Sequence, residues 1–186
     1  MLILLCACST QEPALDAPAT PEPPVVQDAA AEARAIAEAN DSLNELGKSL
    51  KGRMVEVLRE GGPTAAVGVC STEAQALTAA ISAESGGQAG RASTKLRNPD
   101  NAGPAWVREW LEQADSDTPG VSEIIDGQAC VLKPIRIEPG CLACHGSHID
   151  DEVAALLAER YPEDAATGYG VGDLRGAMWA EVPVQR

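Results

Sequence analysis

The stretch of this chain best equipped for chemistry is Cys141-Leu142-Ala143-Cys144-His145. Two thiols are presented from one turn of backbone, and an imidazole follows the second at once. This Cys-x-x-Cys-His order is the signature of c-type haem attachment. Each thiol can form a thioether to one vinyl group of a single macrocycle, and the histidine then sits under the iron as an axial ligand. A Cys-x-x-Cys pair alone also serves as half of a zinc site or as a thioredoxin-like dithiol. A zinc ribbon needs a second Cys/His pair, and the nearest candidates, Cys130 and His148, do not form one. A thioredoxin-like site needs a preceding βαβ pattern, and none is found. One covalent haem c is therefore the expected cofactor.

The surrounding chain bounds what this motif can serve. Its 186 residues suffice for one domain with a sizeable core. Phe is absent and aromatics make up only 3%, so Ala, Val, Leu and Ile must build that core. The net charge is −14, from 28 acidic and 14 basic residues. That balance argues against nucleic acid, or an anionic membrane face, as a partner. No segment is long enough to span a bilayer as a helix.

Six cysteines are present, and the N-terminal pair reads differently from the rest. Leu5-Cys6-Ala7-Cys8 resembles a bacterial lipobox, with Cys8 as the acylated residue and residues 1–7 as the remnant of a lipoprotein signal. The expected location is the periplasmic side of a bacterial membrane, with the membrane touched only through the lipid. Residues 8–28 carry Pro13, Pro18, Pro21, Pro23 and Pro24 and read as a disordered Pro/Ala-rich tether. Residues 29–186 form the domain.

Within the domain, Ile36, Leu43, Leu46, Leu50, Met54, Val57 and Leu58 recur at helical spacing, predicting a helix from Ala29 to about Glu60. Gly61-Gly62-Pro63 ends it, and a second helix is expected over Thr64–Ser82 with Cys70 mid-helix on its apolar stripe. Gly86 to Gly90 reads as a turn, followed by a strand or extended loop over Arg91–Arg97. A helix from Pro104 to Ala114 places Trp106, Trp110 and Leu111 inward. Val121–Asp126 and Ala129–Ile137 form an antiparallel hairpin about Asp126-Gly127-Gln128. A helix over Asp150–Arg160 and a closing strand over Leu174–Val184 complete an α+β domain with a small antiparallel sheet.

Several stretches together resemble one family, the Tll0287-like, c-type haem-binding PAS domains of the periplasm. They are Val69-Cys70-Ser71, Gly90-Arg91-Ala92-Ser93 with Lys95, Arg97-Asn98-Pro99, Lys133-Pro134-Ile135, the haem motif with Gly146, Tyr161-Pro162 with Asp164 and Ala166, Gly168-Tyr169, and Gly172 to Ala177. The resemblance runs from about Ala30 to Pro183. It implies a PAS-like antiparallel sheet with N-terminal helices, cradling one haem c. It also implies a cysteine thiolate, here Cys70, as the second axial ligand. Chemistry alone leaves Cys70, His148, Met54 and Met178 as candidates for that role.

Arg91, Lys95 and Arg97 stand out in an acidic chain and are candidate partners of haem propionates. Arg175 is expected to pair with Asp173 or a propionate, and Cys130 to be a buried strand residue. Three functions follow. A redox or gas (NO/CO) sensor needs an axial ligand that can leave. An electron-transfer cytochrome prefers two fixed ligands and a periplasmic redox partner. A peroxidase needs a distal polar group, and His148 is the only spare histidine, so catalysis is not expected. Either of the first two readings requires a separate redox or signalling protein.

Overall fold

The computed structural model describes residues 29–185. The lipobox with Cys8 and the Pro-rich tether lie outside them. Helix α1 (Ala29–Thr72) opens the domain. Its buried positions Ala31, Ala35, Ala39, Leu43 and Leu46 step by four and then three residues, so they form one stripe. The alanines let the helix lie close to the sheet beneath. At Gly62 the backbone turns to φ 71°, ψ −169°, a conformation available to glycine without steric cost. Pro63 then opens a second arm, where its missing N–H would have no intrahelical partner. The expected helix end at Gly61-Gly62-Pro63 is thus a sharp kink. The second arm ends earlier than its pattern predicts, at Thr72, and α2 (Ala74–Ser85) follows after Glu73. Cys70 therefore sits in the last turn of α1 and is not mid-helix.

The sheet consists of β1 (Gln88–Ala92), β2 (Val121–Ile125), β3 (Gln128–Arg136) and β4 (Leu174–Pro183). Their order is β1-β4-β3-β2, and every neighbour is antiparallel. The hairpin β2–β3 turns through Asp126 and Gly127, at φ 50° and 77°. These are the two left-handed residues that a tight primed turn requires. One expectation is overturned here: Gln88, Ala89 and Gly90 belong to β1, and only Gly86 and Gly87 make the turn. Gly90 is a strand residue because the Trp179 ring lies over it, where an added Cβ would come within 2.7 Å. Composition signalled a turn, and close packing explains the glycine instead.

The sheet is buried on both faces. Ala89, Ala129, Val131, Ala180 and Val182 meet Ala35, Ala39 and Leu43 of α1. The alternate residues Ala92, Leu132, Ala177 and Trp179 meet α3 (Ala105–Gln113) through Val107, Leu111, Trp106 and Trp110. Complete burial of each large aliphatic side chain contributes roughly 1.5–3 kcal/mol. The expected α+β architecture, an antiparallel sheet with N-terminal helices, is the one observed.

Two short elements complete the fold. A 3-10 turn over Pro139–Cys141 leads into α4 (Leu142–His145). Helix α5 (Asp151–Arg160) is capped by the Asp150 carboxylate, which accepts the Glu152 N–H at 3.1 Å. Val153, Leu157 and Tyr161 pack on Val67, which pins the second arm of α1 against the motif region through Cys144. Among the described residues no helix is long and apolar enough to cross a membrane.

Candidate functional site

The Cys-x-x-Cys-His segment forms a single helical turn. Cys141 ends the 3-10 turn, and its N–H donates to Glu138 O at 2.9 Å. Three residues on, Cys144 lies on the same side of α4. The exit of the turn is fastened to the loop before β4. Tyr169 N–H donates to His145 O at 3.0 Å, and Gly168 N–H donates to Gly146 O at 3.0 Å. Ile137, Ala166 and Tyr169 form a buried cluster beneath Cys141 and Leu142.

His145 is oriented from one side. Its Nδ1 lies 2.7 Å from Ala166 O. A carbonyl only accepts, so Nδ1 carries the proton and Nε2 keeps its lone pair for a ligand bond. Burial and the nearby Arg97 guanidinium push the imidazole pKa down to about 4, so the ring is neutral at ordinary pH. The Tyr169 ring stands edge-on, at 6.3 Å between centroids and 83° between planes.

Ala166 is itself held. Asp164 Oδ1 accepts the Ala166 N–H at 2.8 Å, and Ala165 N–H donates to Leu96 O at 2.8 Å. Asp164 Oδ2 pairs with Arg97, at 3.0 Å from Nε and 2.9 Å from Nη2. Nη2 also donates to Cys144 O at 2.6 Å and to Ala166 O at 3.4 Å. The pair is buried, with side chains 8% and 10% exposed.

Cys70 reaches the same region from the kinked arm of α1. Burial raises its thiol pKa, while the charges of Arg91, Arg97 and Arg175 act in the opposite sense. Cys144 is also raised by burial and lowered by Arg97, and it feels the charges of both Cys70 and Cys141. The three motif residues, Cys70 and three arginines thus share one half-buried neighbourhood. Burial also lowers the Arg91 pKa, and its Nε has no hydrogen-bond partner among the described residues. Burial raises the pKa of Tyr161, which faces Cys70 and Arg91.

The other candidates separate clearly. Lys95 Nζ donates to Thr167 O at 3.2 Å and sits 4.7 Å above the centre of the Tyr169 ring. The expected Arg175–Asp173 pair does not form. Arg175 Nη1 donates to Ser93 Oγ at 2.7 Å and to Lys95 O at 3.1 Å, while Asp173 accepts from Gly170 N–H at 2.7 Å. Met178 packs in the core on the α1 side of the sheet. His148 is exposed, with Nδ1 at 3.1 Å from Ser147 Oγ. Cys130 is buried in β3, opposite Glu123 and Glu181, and its thiol is pushed up to about 11 by burial and these acids. Cys70, Cys130, Cys141 and Cys144 are all free thiols.

The Tll0287-like family model matches residues 22–183. The chain belongs to the Tll0287-like family. A search of solved structures finds the crystal structure of the cyanobacterial heme-protein Tll0287, 28% identical, with a TM-score of 0.53. That match covers 61% of this chain and 71% of the other. A search of curated proteins finds no match. In this Tll0287-like chain the loop residues Asp164 and Ala166 belong to the site as much as the motif does. The signal for them was an Asp two residues before a small residue, the pattern of a side chain that closes onto its own backbone.

Proposed function

We propose that this chain binds one haem c outside the cytoplasm, with Cys141 and Cys144 as the covalent attachment points and His145 and Cys70 as the axial ligands, and that it works as a redox or gas-responsive sensor module. The observation that carries the reading is the presentation of His145. Its Nδ1–H is engaged by Ala166 O, so Nε2 is the free nitrogen, and Cys70 lies in the same cluster. The donor set fits the group: two thiols on one turn, a neutral imidazole, a second thiol from another element and an unpartnered buried Arg91 Nε suited to a carboxylate. The relative whose structure is a heme-protein supports the cofactor.

When bound, haem supplies one-electron exchange at iron and, once an axial ligand departs, a position for a diatomic gas. The chain's residues bear on which of these is used. Burial favours the protonated Cys70 thiol, and the arginines favour the thiolate. Burial is the larger effect, so the protonated thiol is the favoured form without iron, and a ligand that regains its proton can leave. Cys70 also sits on a short arm between the Gly62 kink and the break at Glu73, on a different element from the His145 turn. Anchoring through Cys8 and a periplasmic location belong to the same proposal, and a separate redox or signalling protein would receive the output.

Absorption and low-temperature EPR spectra of the purified full chain, ferric and then dithionite-reduced, test the reading. A thiolate-type low-spin ferric signal that is absent from Cys70→Ala, together with a reduced absorption spectrum that is the same in wild type and Cys70→Ala, supports the sensor. A His/Met-type spectrum unchanged in Cys70→Ala moves the assignment to a fixed-ligand electron carrier. Absence of covalently bound haem overturns both.

A further inference from the structure

The sequence offered Arg97 as a partner for a propionate, yet its Nε and Nη2 face inward to protein groups. Nη2 donates to Cys144 O, the carbonyl just before His145, and both nitrogens hold Asp164. The other Asp164 oxygen holds the N–H of Ala166, whose carbonyl fixes the imidazole. Both ends of the His145 environment, its own backbone and its hydrogen-bond acceptor, are thus fastened to one ion pair. Arg97 also reaches that same acceptor at 3.4 Å, so it competes with the Nδ1–H for the carbonyl's electron density.

We propose that Arg97 and Asp164 are positioning residues that fix the tautomer and direction of His145 and limit how much electron density the imidazole delivers through Nε2. An imidazole whose Nδ1–H meets an unshared carbonyl acquires imidazolate character and is a stronger donor. With Arg97 polarising that carbonyl, the ring stays a weaker donor. The inference rests on the haem reading only where it concerns iron, since the tautomer is a property of the chain itself.

The decisive variant is Arg97→Met/Asp164→Leu, which exchanges a buried pair for apolar groups of similar volume, a change that folded proteins often tolerate. Two readouts are taken on the full chain. Nitrogen NMR of His145 in haem-free full chain at neutral pH should show the Nδ1–H tautomer alone in the wild type. In the double variant the tautomers should mix, and exchange of the Nδ1 proton should quicken, because the acceptor that fixes that proton is no longer held in place. In haem-loaded protein, where the bond from Nε2 to iron would itself hold the ring and fix the tautomer, the midpoint potential should fall in the double variant, because Ala166 O no longer shares its lone pairs with Arg97. Asp164→Asn retains Arg97 and an acceptor for the Ala166 N–H, so it should keep the tautomer. An unchanged tautomer and exchange rate in the double variant overturn the proposal. A potential that stays constant or rises overturns its electronic part. If no haem is attached, the function above fails while the tautomer result still decides this inference.

Discussion

Asp164→Ala tests the clamp through stability. In the wild type both carboxylate oxygens are used: Oδ2 by Arg97, at 3.0 and 2.9 Å, and Oδ1 by the Ala166 N–H at 2.8 Å. Removing the carboxylate leaves a guanidinium 8% exposed without its counter-ion. Breaking a buried pair in this way costs about 3–5 kcal/mol. The stranded Ala166 N–H adds about 1 kcal/mol. Against a total stability of roughly 5–15 kcal/mol this is a large fraction, and for a chain of this size it lowers Tm by on the order of 10 °C or more. Urea unfolding followed by far-UV circular dichroism measures it, with wild type, Asp164→Ala, Arg97→Met and the double apolar variant compared in the same haem state. The double variant should lose less than the sum of the two single losses, by about 2 kcal/mol or more. An Asp164→Ala loss below about 1 kcal/mol, or single losses that merely add, would refute the reasoning from burial.

Other perturbations test separate parts of the structure. In the Cys141→Ala/Cys144→Ala chain, which lacks the attachment thiols, His145 titrates freely from about 4 in the folded state and 6.5 when exposed. The unfolded chain takes up the proton first, so stability is intact above pH 6.5 and declines as pH falls to about 4, by about 3 kcal/mol. Unfolding curves across that window that show no decline would contradict the buried neutral imidazole. Gly62→Ala must hold a Cβ at φ 71°, ψ −169°, a region essentially confined to glycine, and should cost about 1–3 kcal/mol, read from the urea midpoint. Gly90→Val forces side-chain atoms into the Trp179 ring, and a loss of about 1–3 kcal/mol with a shift in tryptophan emission is expected. Leu43→Ala, fully buried against the sheet, should cost about 2–5 kcal/mol by calorimetry.

Residues with strong local physics were legible in the sequence. The β2–β3 hairpin announced itself through Asp126-Gly127, α5 through its acidic start, and β4 through alternation. The attachment turn was evident because three reactive side chains sit within five residues. What escaped was set by long-range packing. The strand character of Gln88–Gly90 depends on a tryptophan 89 positions away from Gly90, and no local pattern reports that contact. The inward-facing guanidinium nitrogens of Arg97 depend on carbonyls and a carboxylate 47 to 69 residues downstream. Arg175 likewise forsakes the nearby Asp173 for Ser93, 82 positions back. Charge type was readable, but the choice of partner belongs to the fold.

The central place of β4 has a consequence for how the chain comes to be folded. The last strand made is the one that joins β1 to β3. Until Leu174–Pro183 is available, the β2–β3 hairpin has no link to β1, and α1 has only part of the surface it covers. Closing the sheet must therefore wait for residues 174–183 and for loops of some 85 residues between β1 and β4, a route that is slow because the entropy of closure precedes its reward. Until the sheet closes, the loop of residues 164–169 that holds the Cys141–His145 turn is unanchored at its β4 end, so the turn is less enclosed than in the finished fold. The strand order thus sets a schedule, in which access to the reactive cysteines comes before the tertiary structure that will enclose them.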